Sequence, residues 1–326
     1  MLTGFIRRYA IDKSLLAIPN NRSSHTMATP NGGGGSVVIV TLLMSVVFWL
    51  QNILDSTNFW MIFAPGSIIA IVGWLDDHSH VKARWRLLLH FVAVIMALVM
   101  QGGLDSVVIF GYTLELGYWG YVLAAICLVW LLNLFNFMDG INGIAGIEAI
   151  TVCLGGTLLY LLFFPDTSNW VMPLILSFAV LGFLFWNFPT AKIFMGDVGS
   201  GFLGMTLGVF SLQAAWFAEE LFWGWIILIG VFVVDATTTL IRRLIRKEKL
   251  HKAHRNHAYQ YISRKYKSHT KVSLAVGAIN LFWLFPLAYL VASKRIDGML
   301  GVIIAYLPLL IIAIKYKAGA DEQQEL

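Results

Sequence analysis

Ten apolar runs, most of them long enough to cross a lipid bilayer, constrain the fold of this chain more than any other feature. A helix needs roughly 20 apolar residues to cross the hydrocarbon core. The 326 residues are 58% hydrophobic and 13% charged, too apolar for a water-soluble domain of this length. We therefore predict an all-α integral membrane protein, a polytopic bundle of about ten transmembrane helices. The predicted spans are 36–54, 59–75, 87–101, 118–136, 144–164, 170–187, 200–217, 221–239, 272–292 and 298–314.

The basic residues predict the orientation. If the N-terminus is cytoplasmic, 21 of the 23 Lys and Arg residues fall on the inside, and only Lys294 and Arg295 fall outside. This bias places both termini in the cytoplasm. We expect one membrane domain, 1–326, with a cytoplasmic N-terminal segment (1–35), a long cytoplasmic loop (240–271) and a cytoplasmic tail (315–326). The segment 102–117 alternates weakly around Gly111 and predicts a small hairpin outside the membrane.

Five polar clusters interrupt the apolar runs, and all five fall on the predicted cytoplasmic face. Carboxylates, amides, imidazoles and guanidinium groups gathered at one interface indicate a catalytic site rather than a pore. The clusters are 19–25 (PNNRSSH), Asp76-Asp77, 136–143 (NFMDGING), 194–200 (FMGDVGS) and 251–257 (HKAHRNH).

The carboxylates suit a divalent cation. Asp76 and Asp77 end an apolar run, where a bare charge is costly, and carboxylates with bound water suit Mg²⁺. For either carboxylate alone, a helix cap or an arginine partner is the simpler interpretation. Asp197 lies between two glycines just before a span, where backbone N–H groups can face phosphate while the carboxylate holds a metal.

The remaining motifs offer polar groups for a substrate. Asn133, Asn136, Asp139 and Asn142 recur every three residues, which puts them on one side of a helical turn. Hydrogen bonding inside the bundle is the alternative. In the loop after 239, histidines and Arg255 fit a sugar or diphosphate better than zinc, because no cysteine or acidic ligand accompanies them.

These motifs, in this order and spacing, resemble those of the polyprenyl-phosphate N-acetylhexosamine-1-phosphate transferases, the glycosyltransferase family 4 enzymes typified by MraY and WecA. The resemblance extends from about Phe5 to the C-terminus. The segment 254–260 (HRNHAYQ) is similar to the WbpL-type branch, which initiates O-antigen and related surface polysaccharides.

The resemblance implies transfer of N-acetylhexosamine 1-phosphate from a UDP-sugar to undecaprenyl phosphate, giving undecaprenyl-diphosphate-sugar and UMP. The expected partners are these two substrates and membrane lipids, with no nucleic acid; a homodimer, common among relatives, is left open. The expected location is the bacterial cytoplasmic (inner) membrane, with the active site facing the cytoplasm. The donor is left open among GlcNAc, FucNAc and QuiNAc types, which differ by a hydroxyl or its orientation.

The resemblance also assigns roles by position. Asp197 would bind Mg²⁺, with Mn²⁺ as an alternative, Asp76 and Asp77 would serve the lipid phosphate and the metal, and Asp139 would help to hold the nucleotide diphosphate. A phosphate monoester is largely dianionic at pH 7, so direct attack is favoured, with Asp76 or Asp77 as base or nucleophile in the alternative mechanism. The predicted substrate-binding residues are Asn136, Asn142, Lys192, His254, Arg255, His257, Arg22 and His25, and Gly32 to Gly35 match the family's first cytoplasmic loop.

Three departures from the family pattern stand out. Asn142 occupies the position of a usual second aspartate, and Met27 that of a lysine typical of the cell-wall-precursor branch. WecA-like members carry a further span before the first loop, where this sequence has only six residues before Arg7. The rival hypothesis is a polytopic secondary transporter, which would need charged or broken-helix sites near the membrane midplane.

Overall fold

The computed structural model describes residues 1–19, 27–79, 81–248 and 255–320. Its fold is helical, as predicted. The helices are α1 (Leu2–Asp12), α2 (Gly35–Leu50), α3 (Ser56–Ser79), α4 (Ala83–Gln101), α5 (Tyr118–Met138), α6 (Ile144–Phe163), α7 (Val171–Asn187), α8 (Asp197–Phe217), α9 (Glu219–Leu228), α10 (Gly230–Ile245), α11 (Ala258–Tyr266), α12 (His269–Ile279), α13 (Phe285–Ala292) and α14 (Gly298–Lys315), with a π-helical turn, Asn280–Leu284, between α12 and α13.

Seven helical stretches in the described residues are long and apolar enough to cross a membrane, counting α12, the π-helical turn and α13 as one. The pair α9 and α10 makes an eighth if it is a single span, and α2 and α7 are shorter apolar helices. Each of these segments coincides with one of the ten predicted spans. The polytopic membrane architecture is therefore confirmed, whereas the count of ten crossings stays a prediction.

Short strands form two small two-stranded sheets outside the long helices. Strands β1 (Leu16–Ala17) and β2 (Thr29–Pro30) are antiparallel, as are β3 (Ser106–Ile109) and β4 (Tyr112–Glu115). Phe110 and Gly111 join β3 to β4, both with positive φ, as the tight turn of a hairpin requires. The hairpin predicted for 102–117 is confirmed.

Helix α8 is the centre of the bundle. Every residue from Val198 to Ala214 is buried, and the helix packs against α3 and α5. Small side chains permit this close packing, because a Cβ at Gly204 would lie 2.5 Å from the carbonyl oxygen of Leu131 in α5. Small residues allow two transmembrane backbones to approach in this way. The N-terminus of α8 is thereby fixed among the neighbouring helix ends.

The span predicted at 221–239 is broken in the structure. Helices α9 and α10 meet at Ile229 and are bent by 66°. Tyr306 of α14 donates its hydroxyl hydrogen to the carbonyl oxygen of Ile226, 2.5 Å away, which satisfies one of the carbonyl groups left free where α9 ends. The bend directs α10 toward the helix ends that carry the acidic motifs.

Those ends lie together at what we call the site end of the bundle. It comprises the C-terminal ends of α3, α5, α7 and α10 and the N-terminal ends of α2, α4, α6, α8 and α12. The amphipathic helix α1, which the sequence analysis did not predict, packs there on α2 and α7. Thr3 of α1 donates to the hydroxyl of Ser36 in α2.

Candidate active site

The N-terminus of α8 is capped by a carboxylate from another helix. Oδ1 of Asp77, near the end of α3, accepts the backbone N–H of Asp197 at 3.0 Å, and Oδ2 accepts that of Val198 at 3.2 Å. A helix N-terminus favours negative charge and has N–H groups that lack helical partners. The side-chain amide of Asn31 donates to the same carboxylate at 2.9 Å. Asp77 therefore ties α8 to α3 and to the segment before α2.

Arg86, in the first turn of α4, joins two of the predicted catalytic carboxylates. Its Nη1 donates to Oδ2 of Asp76 and, at 2.9 Å, to Oδ2 of Asp197. The backbone N–H of Val81 donates to the other oxygen of Asp76 at 2.6 Å. A guanidinium thus stands between two carboxylates and lowers the repulsion between them.

Asn136 holds the second oxygen of Asp197. Its Nδ2 lies 2.8 Å from Oδ1 of Asp197 and 3.1 Å from the hydroxyl oxygen of Ser200, one turn further along α8. Asn136 belongs to the last turn of α5, so the predicted motif 136–143 does meet the motif 194–200. The orientation of Asp197 is fixed from both sides, by Asn136 and by Arg86.

Backbone hydrogen bonds bring the glycine-rich segment before α2 against the same site. Pro30 accepts the N–H of Phe194, and the N–H groups of Gly33 and Gly34 donate to the carbonyls of Phe194 and Met195, each at 2.8 Å. A Cβ at Gly34 would lie 2.4 Å from the Cα of Gly199. Glycine is required where two backbones approach this closely.

Asp139 directly follows the last residue of α5 and lines a polar cavity of about 280 Å³ with Asn136, Asn142 and Asp197. Burial raises the pKa of Asp139 well above its usual value, and the negative charges of Asp197 and Asp77 raise it further. The predicted carboxylates therefore converge, with Asp139 lining the same cavity as Asp197.

The loop between α5 and α6 is held by two asparagines. Asn187, at the end of α7, accepts the N–H of Gly143 at 2.8 Å and donates to the carbonyl of Ile193 at 2.9 Å. Nδ2 of Asn142 donates to the carbonyl of Pro189 at 3.2 Å. Both contacts fasten the Asp139 loop to the segment leading into α8.

The histidine loop is the predicted cytoplasmic loop 240–271, and its described part after 254 packs on α10 and on the loop that joins α5 to α6. His257 is buried, with Nδ1 3.3 Å from Oδ1 of Asp235 in α10, and the hydroxyl of Tyr259 donates to the carbonyl of Phe137 at 3.0 Å. The backbone carbonyl of Arg255 accepts from Arg264. His257 does not line the polar cavity, whereas Gln260 and His269 do.

Lys192 lies apart from the carboxylates. Its side chain is exposed, with Nζ 5.9 Å from the centre of the Trp186 ring, and its carbonyl accepts from Arg7. It does not line the polar cavity, so its predicted contact with substrate stays a prediction. Arg22, His25 and His254 lie outside the described residues.

An apolar cavity of about 500 Å³ adjoins the polar one. Met138 and Tyr259 line the apolar cavity, and their chain neighbours Asp139 and Gln260 line the polar cavity. The other walls come from α10, α11, α12 and α14. A ligand with a charged head and an apolar tail would find both environments side by side.

Comparison with known proteins agrees with the geometry. The sequence model described as glycosyl transferase family 4 matches residues 59–215. A probable undecaprenyl-phosphate N-acetylglucosaminyl 1-phosphate transferase of Bacillus subtilis (strain 168) is 28% identical over 297 residues, 87% of this chain and 79% of the relative. The phospho-N-acetylmuramoyl-pentapeptide-transferase of Streptococcus pneumoniae (strain 70585) is 30% identical over 225 residues, 66% and 67% of the two chains. That of Thermotoga neapolitana is 27% identical over 280 residues, 80% and 84%.

The chain belongs to glycosyl transferase family 4. The family match spans the ends of α3, α5 and α8 that carry Asp76, Asp77, Asp139 and Asp197. The assignment to the WbpL-type branch stays a prediction.

Several site residues were missed by the sequence analysis. Arg86 was counted only as an inside charge, although an arginine in the first turn of a helix opposes the helix dipole and so calls for an acidic partner. Asn31 and Asn187 gave no periodic signal. Gln260 was quoted only as part of a motif, and its place at the polar cavity depends on the packing of α11.

The departure of Asn142 from the family pattern has a structural reason. Its amide donates a hydrogen to the carbonyl of Pro189, and an ionised aspartate could only accept one. At this position Asn142 therefore fastens the loop between α5 and α6 to Pro189.

Proposed function

We propose that this protein transfers N-acetylhexosamine 1-phosphate from a UDP-sugar to undecaprenyl phosphate. An oxygen of the lipid phosphate attacks the sugar-bearing phosphorus of the donor, the bond between that phosphorus and the bridging oxygen breaks, and UMP leaves. The products are undecaprenyl-diphosphate-sugar and UMP. The observation that carries the proposal is the convergence of Asp76, Asp77, Asp139 and Asp197 at one end of a membrane bundle, where Arg86 bridges Asp76 and Asp197.

The chemistry requires positioning and charge neutralisation more than a strong base. The lipid phosphate is largely dianionic at pH 7, and negative charge accumulates as one phosphate attacks another. Arg86 can contact phosphate through its guanidinium, which suits such groups geometrically. We favour direct attack because Asp76 accepts from Arg86 and Asp77 accepts the backbone N–H groups of Asp197 and Val198, which leaves neither poised as a free nucleophile.

The residues fit a magnesium ion bound together with substrate. In the described part of the chain, no three His, Cys, Asp or Glu side chains form a ready metal cluster. Mg²⁺ in phosphoryl-transfer sites commonly takes one or two carboxylates, water and substrate phosphates. Asp197 and Asp76, which share one guanidinium nitrogen, are close enough to supply such a pair. The ion would neutralise the diphosphate charge, and Asn136 would keep Asp197 oriented.

The adjoining cavities support a lipid acceptor. The apolar cavity of about 500 Å³ is lined by apolar side chains such as Val234, Val276 and Leu309. An isoprenoid chain can lie against such an apolar surface as it does against lipid tails, and its phosphate would remain with the charged groups next door. Family membership and this arrangement together favour a phosphorylated polyprenol.

We assign the site to the cytoplasmic face of the bacterial inner membrane, with both termini cytoplasmic. The support is the 21 of 23 basic residues that fall on that side. We further propose that the reaction initiates O-antigen or a related surface polysaccharide, because the segment 254–260 is similar to that branch.

UMP release tests the proposal. Purified detergent-solubilised protein is incubated with undecaprenyl phosphate, Mg²⁺ and each of several UDP-N-acetylhexosamines, beside Asp197→Asn and the exposed Asp166→Asn at the opposite end. We expect lipid-dependent UMP release that EDTA abolishes, that Asp197→Asn loses and that Asp166→Asn retains. Folded protein that releases no UMP with any donor would refute the proposal and favour the transporter hypothesis.

A further inference from the structure

Asp235 lies in α10, away from the four catalytic carboxylates, and its carboxylate is the anchor of the described histidine loop. Oδ1 accepts the backbone N–H of Ala258 at 3.0 Å, and Oδ2 accepts that of Tyr259 at 2.9 Å. These are the first two residues of α11. Nδ1 of His257 and the hydroxyl of Thr239 also lie 3.3 Å from Oδ1. The carboxylate is buried, so these donors replace its hydration.

His257 links Asp235 to the first turn of α11. Nδ1 of His257 lies 3.3 Å from Oδ1 of Asp235. A carboxylate partner at one ring nitrogen fixes the orientation of a histidine. His257 is also the N-cap of α11, and its backbone N–H donates to Oε1 of Gln260 at 3.3 Å.

The position of α11 determines what faces the polar cavity. Gln260 lines that cavity beside Asp139 and Gly140, and the hydroxyl of Tyr259 reaches the carbonyl of Phe137. The fit is tight, since a Cβ at Gly140 would lie 2.2 Å from the hydroxyl oxygen of Tyr259 and 3.1 Å from Nε2 of Gln260. A small displacement of α11 would move Gln260 relative to Asp139.

We propose that Asp235 is a positioning residue that holds His257 and the start of α11, so that Gln260 contacts the UDP-sugar in the polar cavity. The proposal rests on the proposed function for the identity of that ligand. Asp235 lines the apolar cavity rather than the polar one, so it acts through α11. The isoprenoid chain needs only apolar contact from the cavity wall, which a nearly isosteric asparagine keeps, whereas the cap of α11 needs both carboxylate oxygens. Loss of the carboxylate therefore affects donor binding more than acceptor binding.

The variant Asp235→Asn is nearly isosteric but cannot accept at both oxygen positions, because one becomes an NH₂ group facing an N–H donor. Its matched control is Thr239→Val, which removes one hydrogen bond to Asp235 and leaves the cap of α11. Gln260→Ala tests the proposed contact itself. Thermal melts of all variants in detergent establish that each is folded.

Kinetics with a fixed donor give the first readout. We expect Asp235→Asn and Gln260→Ala to raise the donor KM about 3- to 10-fold, as for a lost hydrogen bond, and to leave the undecaprenyl phosphate KM within about 2-fold. Asp235→Glu should recover part of the loss, and Thr239→Val should behave like wild type. Equal changes in both KM values, or an unchanged donor KM, would overturn the proposal.

Hydrogen exchange gives a readout that does not depend on turnover. In Asp235→Asn the amides of Ala258 and Tyr259 should exchange at least 10-fold faster than in wild type, while those of α8 remain unchanged. Unchanged exchange would refute the anchoring role even if wild-type protein releases no UMP, an outcome that by itself refutes only the proposed function.

Discussion

Gly73 is the point at which α3 touches the N-terminus of α8, and its replacement tests how the site is positioned. A Cβ at Gly73 would lie 2.5 Å from both the carbonyl oxygen of Asp197 and the nitrogen of Val198. Asp77, one helical turn later on the same face of α3, accepts the N–H groups of these two residues. The close approach at Gly73 therefore keeps Asp77 within hydrogen-bonding distance of α8.

The size of the effect of Gly73→Ala follows from these distances. Ordinary contacts to Cβ begin near 3.4 Å, so a separation of 2.5 Å must grow by about 0.9 Å. The same movement would lengthen the Asp77 hydrogen bonds from 3.0 and 3.2 Å to about 4 Å, beyond hydrogen-bonding range. We expect a loss of about 1–3 kcal/mol of stability and about 100-fold in activity, the typical cost of misplacing a catalytic group by ~1 Å.

Gly182→Ala is the matched control. Gly182 lies on an exposed face of α7, and a Cβ there meets nothing within 4 Å. Alanine is the better helix former by about 1 kcal/mol, so this variant should keep wild-type UMP release and melt at an equal or higher temperature. The assay is lipid-dependent UMP release, paired with a thermal melt in the same detergent.

Two results would contradict the reasoning. If Gly73→Ala releases UMP at the wild-type rate with an unchanged melt, the contact between α3 and α8 does not position the site. If the melt falls but activity per folded molecule is retained, the contact stabilises the bundle and the Asp77 cap is dispensable for the reaction.

Three further changes have expected outcomes. Arg86→Gln removes the guanidinium shared by two carboxylates and should lower UMP release at least 10-fold, with a small effect on the melt because the arginine is one-third exposed; an unchanged rate would remove it from the mechanism. Asn142→Asp should lower the free energy of unfolding by about 1 kcal/mol, since it loses a donor to the carbonyl of Pro189; a lower melting temperature would show this. Glu148→Ala removes one of the two 2.7 Å acceptors of the buried Asn280 amide, Thr151 being the other, and should destabilise by about 1–3 kcal/mol, whereas Glu148→Gln, which retains an oxygen acceptor, should cost less.

The spans could be predicted because hydrophobicity alone specifies them. Nine of the ten predicted segments match single helical stretches within a few residues at each end. The fifth and sixth were predicted as separate spans with only a short loop at Pro165 between them, and the structure also separates them there. The exception is 221–239, which is broken at Ile229. Hydropathy measures whether a segment is apolar and carries no information on its direction. The bend at Ile229 involves a hydrogen bond from Tyr306, about 80 residues away in sequence, so the hydropathy of 221–239 alone could not predict it.

The convergence of the carboxylates was also predictable, because counting spans assigns each motif to one face. Their partners were not. Asp76 and Asp77 were predicted to serve phosphate and metal, with an arginine partner or a helix cap as the simpler alternatives for each alone. In the structure Asp76 pairs with Arg86 and Asp77 caps α8. These contacts depend on how α3, α4 and α8 pack, which no local pattern in the sequence records.

The charges at the site explain why Asp76 and Asp77 can contact protein groups and still bind substrate under the proposed function. In the described residues, the ion pairs of this cluster join Arg86 to Asp76 and Asp197, while Asp77 relies on N–H donors. Negative charge is therefore in excess, and the raised pKa of Asp139 follows from its burial first and from that excess second. An anionic diphosphate would be repelled by such a site unless cations accompany it. Under the proposed function, the same carboxylates that hold the protein's own donors would also hold a metal–diphosphate complex, and Arg86 would contact phosphate.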